Sequence, residues 1–163
     1  MIYPIALTQY VDNRGVFFEG WNFRENETKW VSDRFSKSSP GVLRGLHCQL
    51  KHPQAKLLTV ISGKILDIIV DINTGQYSGY NLVEGMQLLI PNNYLHGFLA
   101  LEESIVWYKV DVPRQADDEY IVAWDDKDLN IDWPIDKPIL SYRDTNGLSW
   151  KEFLKVYSEK IGR

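Results

Sequence analysis

The sequence holds one cysteine, Cys48, and three histidines in 163 residues. A single thiol forms no intrachain disulfide and no zinc knuckle, and it suits a reducing compartment. Glycine (11) and proline (7) are too few and too scattered for a collagen-like or low-complexity chain. Neither sign of charge dominates, since 18 basic residues stand against 22 acidic ones for a net charge of −4. That balance argues against a general nucleic-acid binder but leaves room for a small anion held by a few local cations. Long hydrophobic runs are missing too. The most apolar stretch, Leu57 to Ile72, is broken by Ser62, Lys64, Asp67 and Asp71, so it cannot span a bilayer. The first residues, Met1 to Ala6, carry neither a basic segment nor a long apolar one, so no secretory leader is expected. The expectation is a soluble cytoplasmic protein.

What the chain does contain is strand signal, in a composition that is 44% apolar and 25% charged, as in globular proteins. The length suits one domain over 1–163. Strands are expected at Val42–Gln49, Lys56–Ile61, Lys64–Ile72, Gln87–Ile90, Tyr94–Leu101 and Ser104–Val112, with Ser62–Gly63–Lys64 read as a hairpin turn. Short strands without intervening helices imply an all-β antiparallel sandwich or barrel.

Period-two alternation assigns faces. His47 and Gln49 share one with Leu43. His96 shares one with Tyr94, Phe98 and Ala100, and Tyr108 lies between Val106 and Val110. In Lys64–Ile72 the odd positions mix Asp67 and Asp71 with Ile65 and Ile69, which suits a cavity wall or a wetted edge. A helix is expected at the C-terminal end, over 148–162. Ser149 and Glu152 form a capping box there, and Trp150, Phe153, Leu154, Tyr157 and Ile161 make an apolar stripe.

His47 and His96 are candidate bases on strands, or satisfied core histidines. The three histidines could by number hold a metal, but His52 precedes Pro53 in a loop and no ligand-pair spacing occurs, so no metal is expected. Lys56 opens an apolar strand as an electrophilic stabiliser or a snorkelling rim residue. Asp144 alone reads as a turn residue. No P-loop, dinucleotide fingerprint or serine-hydrolase elbow is present.

The run from Ser36 to Gln49, containing Arg44–Gly45–Leu46–His47, resembles the signature of the dTDP-4-dehydrorhamnose 3,5-epimerase family. Further similar pieces follow in the family's order. They are Asp12–Asn13–Arg14–Gly15 with Phe17 to Glu19, Gln54–Ala55–Lys56–Leu57, Asp67 to Asp71, His96–Gly97–Phe98, Tyr108–Lys109, Trp124–Asp125–Asp126, Asp132–Trp133–Pro134 and Leu140–Ser141. The resemblance implies a cupin-type jelly roll, a homodimer whose N-terminal strands reach the partner's site, and chemistry without a metal or cofactor. It implies a nucleoside-diphosphate 4-keto-6-deoxy sugar as substrate, epimerised at carbon 3, carbon 5 or both in deoxysugar and polysaccharide biosynthesis.

By motif position, His47 would be the base, and Asp144 would pair with its imidazole and fix the tautomer. Lys56 would stabilise the enolate, and Tyr108 would return the proton. Arg44 and His96 match positions near sugar and diphosphate, Gln49 closes the signature on the substrate side, and Arg14, Phe17 and Glu19 match the nucleotide-contacting strand. Two departures stand out. Arg34 occupies the position of a usual asparagine, and Val112–Pro113 replaces a usual tyrosine before proline. A 3,4-ketoisomerase and a non-catalytic nucleotide-sugar binder are the alternative readings.

Overall fold

The computed structural model describes residues 2–21 and 28–161. Among these lie twelve strands: β1 (Ile5–Ala6), β2 (Gln9–Asp12), β3 (Gly15–Phe18), β4 (Ser32–Ser38), β5 (Leu43–Gln49), β6 (Lys56–Ser62), β7 (Lys64–Asp71), β8 (Tyr77–Val83), β9 (Met86–Ile90), β10 (Tyr94–Ala100), β11 (Ser104–Val110) and β12 (Glu119–Ile121). A 3-10 turn at Asp144–Asn146 and helix α1 (Trp150–Ile161) follow. One sheet runs β1-β9-β6-β11-β4 and the other β12-β5-β10-β7-β8, while β2 and β3 pair apart as a hairpin. The result is the expected jelly roll with a C-terminal helix.

The central strands β7 and β10 of the second sheet are buried on both faces, which explains their near-continuous apolar runs. Its inner face, with Ile65, Ile69 and Phe98, meets Leu58, Val60, Leu88 and Val106 of the first sheet. Its outer face, with Ile68, Val70, Leu95 and Leu99, is covered by Trp133 and by Trp150 and Phe153 of α1. The odd face of β7 therefore points inward, and Asp67 on it is completely buried.

The capping box forms as expected. Glu152 Oε2 accepts from Ser149 N (2.9 Å) and Ser149 Oγ (2.7 Å), while Asp126 Oδ2 accepts from Trp150 N at 2.9 Å. The stripe is narrower than its period suggested. Trp150, Phe153 and Tyr157 stack in series, whereas Leu154 is exposed. The Ile161 side chain and residue 162 lie outside the described set. Burying Phe153 contributes roughly 1.5–3 kcal/mol.

Two local expectations are corrected. Ser62–Gly63–Lys64 does not close a hairpin, because β6 pairs with β9 and β11 while β7 pairs with β8 and β10. It is the corner at which the chain changes sheet. Strand β5 also breaks alternation. Leu43 pairs with Leu99 and Arg44 with Phe98, yet His47 pairs with His96, so β5 advances three residues while β10 advances two. The extra residue is a bulge. Leu43 thus joins Leu46 and Cys48 in the outer core and does not share a face with His47. Gly45 permits it with φ +128°, and a Cβ there would lie 2.5 Å from Gly97 Cα and 2.8 Å from the His96 carbonyl oxygen.

Candidate active site

Between the two sheets opens a cavity of about 300 Å³, at the lower end of the range usual for small-molecule sites. Arg34 and Ser36 on β4, Lys56 on β6 and Tyr108 on β11 line one wall. The facing wall carries Arg44 and His47 on β5, His96 and Phe98 on β10 and Glu119 on β12. Gln54, Arg114, Ser141, Arg143 and Asp144 come from the connecting loops. The β5 bulge puts Arg44 and His47 into one chamber although they are three positions apart.

His47 Nε2 lies 2.6 Å from Asp144 Oδ1. The second oxygen of Asp144 accepts from Ser141 Oγ at 2.7 Å, and the same Oγ accepts from Asp144 N at 3.1 Å. Burial alone would raise the Asp144 carboxyl. The hydrogen bonds from His47, Ser141 and the Gly45 backbone outweigh it and hold the group below its ordinary value. An ionised Asp144 that only accepts fixes the His47 proton on Nε2, leaving Nδ1 with its lone pair.

His96 repeats the pairing at greater depth, with Nε2 2.8 Å from Asp67 Oδ2. Desolvation dominates there and pushes the imidazole below its ordinary value despite Asp67, so His96 is held neutral. Desolvation also lowers the Lys56 ammonium, and the charge of Arg34 adds to the effect. At the mouth, Glu119 Oε2 accepts from Arg114 Nη2 (2.5 Å) and Arg143 Nη1 (2.6 Å). Burial would raise Glu119, but these bonds bring it to about 2. The site is therefore rich in cations, with a buried carboxylate paired to each of its two histidines.

Of the residues singled out from the sequence, His47, Asp144, Lys56, Tyr108, Arg34, Arg44 and His96 meet in this cavity. Gln49 does not. Its side chain is buried, with Nε2 donating to the His52 carbonyl at 2.9 Å and Oε1 accepting from Gln115 N at 2.8 Å, so it ties loops together. Arg14 lies in the β2–β3 turn, where it binds Asp12 at 2.6 Å, while Phe17 sits on exposed β3 and Glu19 just beyond it. These three are not part of the cavity wall of their own chain. Sequence reasoning missed Arg114, Glu119 and Arg143 as site residues. Arg143 adjoins Asp144, but Arg114 and Glu119 sit where no strand period marks an inward face. His52 pairs with Asp118 at 3.3 Å, away from the cavity. No group of three or more potential metal ligands occurs among the described residues.

Residues 2–152 match the family described as dTDP-4-dehydrorhamnose 3,5-epimerase. The dTDP-4-dehydrorhamnose 3,5-epimerase of Methanothermobacter thermautotrophicus is 41% identical over 158 residues, covering 87% of this chain and 84% of that one. The enzyme of that name from Bacillus anthracis, solved with TDP and PPi bound, superposes with a TM-score of 0.83 at 37% identity, over 90% of this chain and 92% of the other. The dTDP-6-deoxy-D-glucose-3,5-epimerase of Legionella pneumophila, solved in complex with dTDP-4-keto-L-rhamnose, does so with a TM-score of 0.84 at 32% identity, over 92% and 88%. With motif order, sheet topology and this cavity in agreement, the chain belongs to the dTDP-4-dehydrorhamnose 3,5-epimerase family.

Proposed function

We propose that this protein epimerises a nucleoside-diphosphate 4-keto-6-deoxy sugar at carbon 3, carbon 5 or both, with dTDP as the nucleotide. The observation that carries the proposal is the placement of a paired base and a proton donor on opposite walls of one cationic cavity. His47 belongs to one sheet and Tyr108 to the other.

The carbonyl at carbon 4 acidifies the neighbouring C–H bonds. His47 Nδ1 takes one proton, and the C–H electron pair becomes the C=C of an enolate whose charge sits on the carbon-4 oxygen. Lys56, whose ammonium makes no hydrogen bond or ion pair among the described residues, meets that charge as it develops. The Tyr108 hydroxyl then gives a proton to the opposite face of the carbon. The double bond returns to the carbonyl and the centre is inverted. Asp144 balances the imidazolium formed at His47. Arg44, Arg114 and Arg143 at the mouth offer guanidinium donors suited to a diphosphate, with His96 beside the sugar.

The same reading makes the protein a cytoplasmic homodimer. The first sheet leaves apolar side chains such as Phe35 and Leu89 exposed on its outer face, where the second sheet has α1. The β2–β3 hairpin extends Tyr10, Val11 and Phe17 into solvent. A second copy covering that face would bring Arg14, Phe17 and Glu19 to its neighbour's cavity. The free, buried Cys48 suits a reducing compartment.

Proton NMR of the protein with dTDP-4-keto-6-deoxyglucose in heavy water tests the chemistry. Loss of the signals at carbons 3 and 5 is expected. Loss at one carbon makes the enzyme a monofunctional epimerase, and no exchange with dTDP-, CDP-, GDP- or UDP-linked 4-keto sugars refutes enolisation.

A further inference from the structure

Five cations line the cavity, and three of them are already engaged. Arg44 donates to Ser38 Oγ at 3.0 Å and to the Lys37 carbonyl at 3.2 Å, while Arg114 and Arg143 share Glu119. The other two, Lys56 and Arg34, have no hydrogen-bond or ion-pair partner among the described residues. Both rise from the same sheet and flank Tyr108. Arg34 is its cross-strand partner on β4, and Lys56 on β6 pairs with Val110, the next inward residue of β11. The charge of Arg34 is felt at Lys56, so the two repel when nothing lies between them.

The neighbour of Arg34 on the inward face of β4 has the same need. Ser36 Oγ is buried and has no hydrogen-bond partner among the described residues. A buried polar atom without a partner costs about 1–3 kcal/mol, so a ligand that set an apolar part of the sugar against β4 would leave that cost standing. An oxygen of the sugar set against β4 would give Ser36 Oγ the partner it lacks, and two unpaired cations beside it favour an anionic one.

The reaction offers two anions. A diphosphate carries two negative charges, and the three guanidiniums toward the mouth, less the Glu119 carboxylate, carry two positive ones. The other anion is the carbon-4 oxygen, which gains its charge only during the reaction.

We propose that Arg34 is a second catalytic cation, which together with Lys56 holds the enolate oxygen while Ser36 donates to the same side of the sugar. This rests on the enolisation reading above. A guanidinium brings a full positive charge and can turn two N–H donors onto one enolate oxygen, where a neutral amide brings no charge.

The test compares Arg34→Gln and Arg34→Lys with the wild type in two measurements. One is kcat and KM on dTDP-4-keto-6-deoxyglucose, and the other is the affinity for dTDP by calorimetry. An interaction made only in the transition state lowers kcat and spares the ground state. For Arg34→Gln, kcat should fall roughly 10²-fold, as for loss of one oxyanion donor, with KM and dTDP affinity within about threefold of wild type. Arg34→Lys should recover about tenfold of that loss. Unchanged kcat in Arg34→Gln, or a dTDP affinity weakened about tenfold or more, overturns the proposal and, in the second case, assigns Arg34 to the diphosphate. If Arg34→Gln does not fold, an Arg34→Lys variant that binds dTDP more weakly at unchanged kcat gives the same refutation. A wild type that exchanges no sugar proton fails at the earlier reading and takes this one with it, whereas an active wild type beside an equally active Arg34→Gln fails here alone.

Discussion

Replacing Gly45 by alanine should damage both fold and chemistry, by amounts that follow from the bulge. The residue has φ +128°, and a non-glycine side chain there costs about 1–3 kcal/mol. The new Cβ would also press 2.5 Å from Gly97 Cα and 2.8 Å from the His96 carbonyl, both of them backbone atoms that cannot turn aside. Overpacking of this kind costs about 1–3 kcal/mol more. The sum, about 2–6 kcal/mol, is a large part of the roughly 5–15 kcal/mol that holds a domain folded. With a slope near 2 kcal/mol per molar urea, the unfolding midpoint should drop by about 1–3 M.

Gly15→Ala is the control. Gly15 has φ +126° but nothing within 4 Å of a built Cβ, so it reports the dihedral cost without the clash. Activity should respond to Gly45→Ala as well, because the bulge sets both Arg44 and His47. A shift of about 1 Å in a catalytic group can cost about 10²-fold. If Gly45→Ala unfolds at the same urea concentration as Gly15→Ala, the close-contact argument is wrong. Wild-type turnover in a folded Gly45→Ala protein would show that the bulge does not place the base.

Three further predictions concern charges. Asp144→Asn removes the anion that fixes the proton on His47 Nε2, and kcat should fall roughly 10³–10⁴-fold with the fold intact; deuterium incorporation within tenfold of wild type would refute that role. Glu119 is held at about 2 in the folded state against 4.5 unperturbed, so the unfolded chain binds its proton first as pH falls. The stabilisation from Glu119 is thus complete above about pH 4.5 and is lost as pH falls towards 2. The stability advantage of wild type over Glu119→Gln, from urea curves at pH 6, 4 and 3, should shrink in that order, and a constant difference would count against the clamp. Lys56 is a desolvated ammonium without a hydrogen-bond or ion-pair partner among the described residues, so Lys56→Met should raise the urea midpoint while lowering turnover at least 10²-fold; a lower midpoint would mean that Lys56 is satisfied in the free enzyme.

The strands legible in the sequence were those whose burial is simple. β7 and β10 sit between two apolar layers and so read as nearly unbroken runs, and the period of β11 put Val106, Tyr108 and Val110 on one inward face. β8 escaped notice because it is the edge of its sheet, and its Tyr77, Ser78, Gly79 and Asn81 face water on much of their surface. β2 and β3 are exposed on both faces of an isolated hairpin and carry no apolar face to detect. β4 does alternate, but its inward set is Arg34, Ser36 and Ser38. Reading faces by hydrophobicity inverts such a strand, since its polar side lines the cavity and Phe35 lies exposed on the outside.

That inversion shows why the site was only partly readable. A catalytic cavity is an interior surface made of the residue types that normally mark an exterior, so periodicity hides its walls. Motif order recovered His47, Lys56, Tyr108 and Asp144, four residues spread over 97 positions that the topology brings together. It could not reveal that a three-residue step at Gly45 turns Arg44 and His47 the same way, because a bulge cancels the alternation on which face assignment rests. Nor could it show that Glu119 bridges two of the three guanidiniums at the mouth, since that pairing joins Arg114 to Arg143 across loops of no fixed period. The partner of each charge sets it apart here: Arg114 and Arg143 are restrained by a carboxylate, while Arg34 and Lys56 have no such partner among the described residues and flank Tyr108. An unpaired cation between two sheets lowers stability unless an anion is brought to it, and in the proposed reaction that anion is the enolate oxygen.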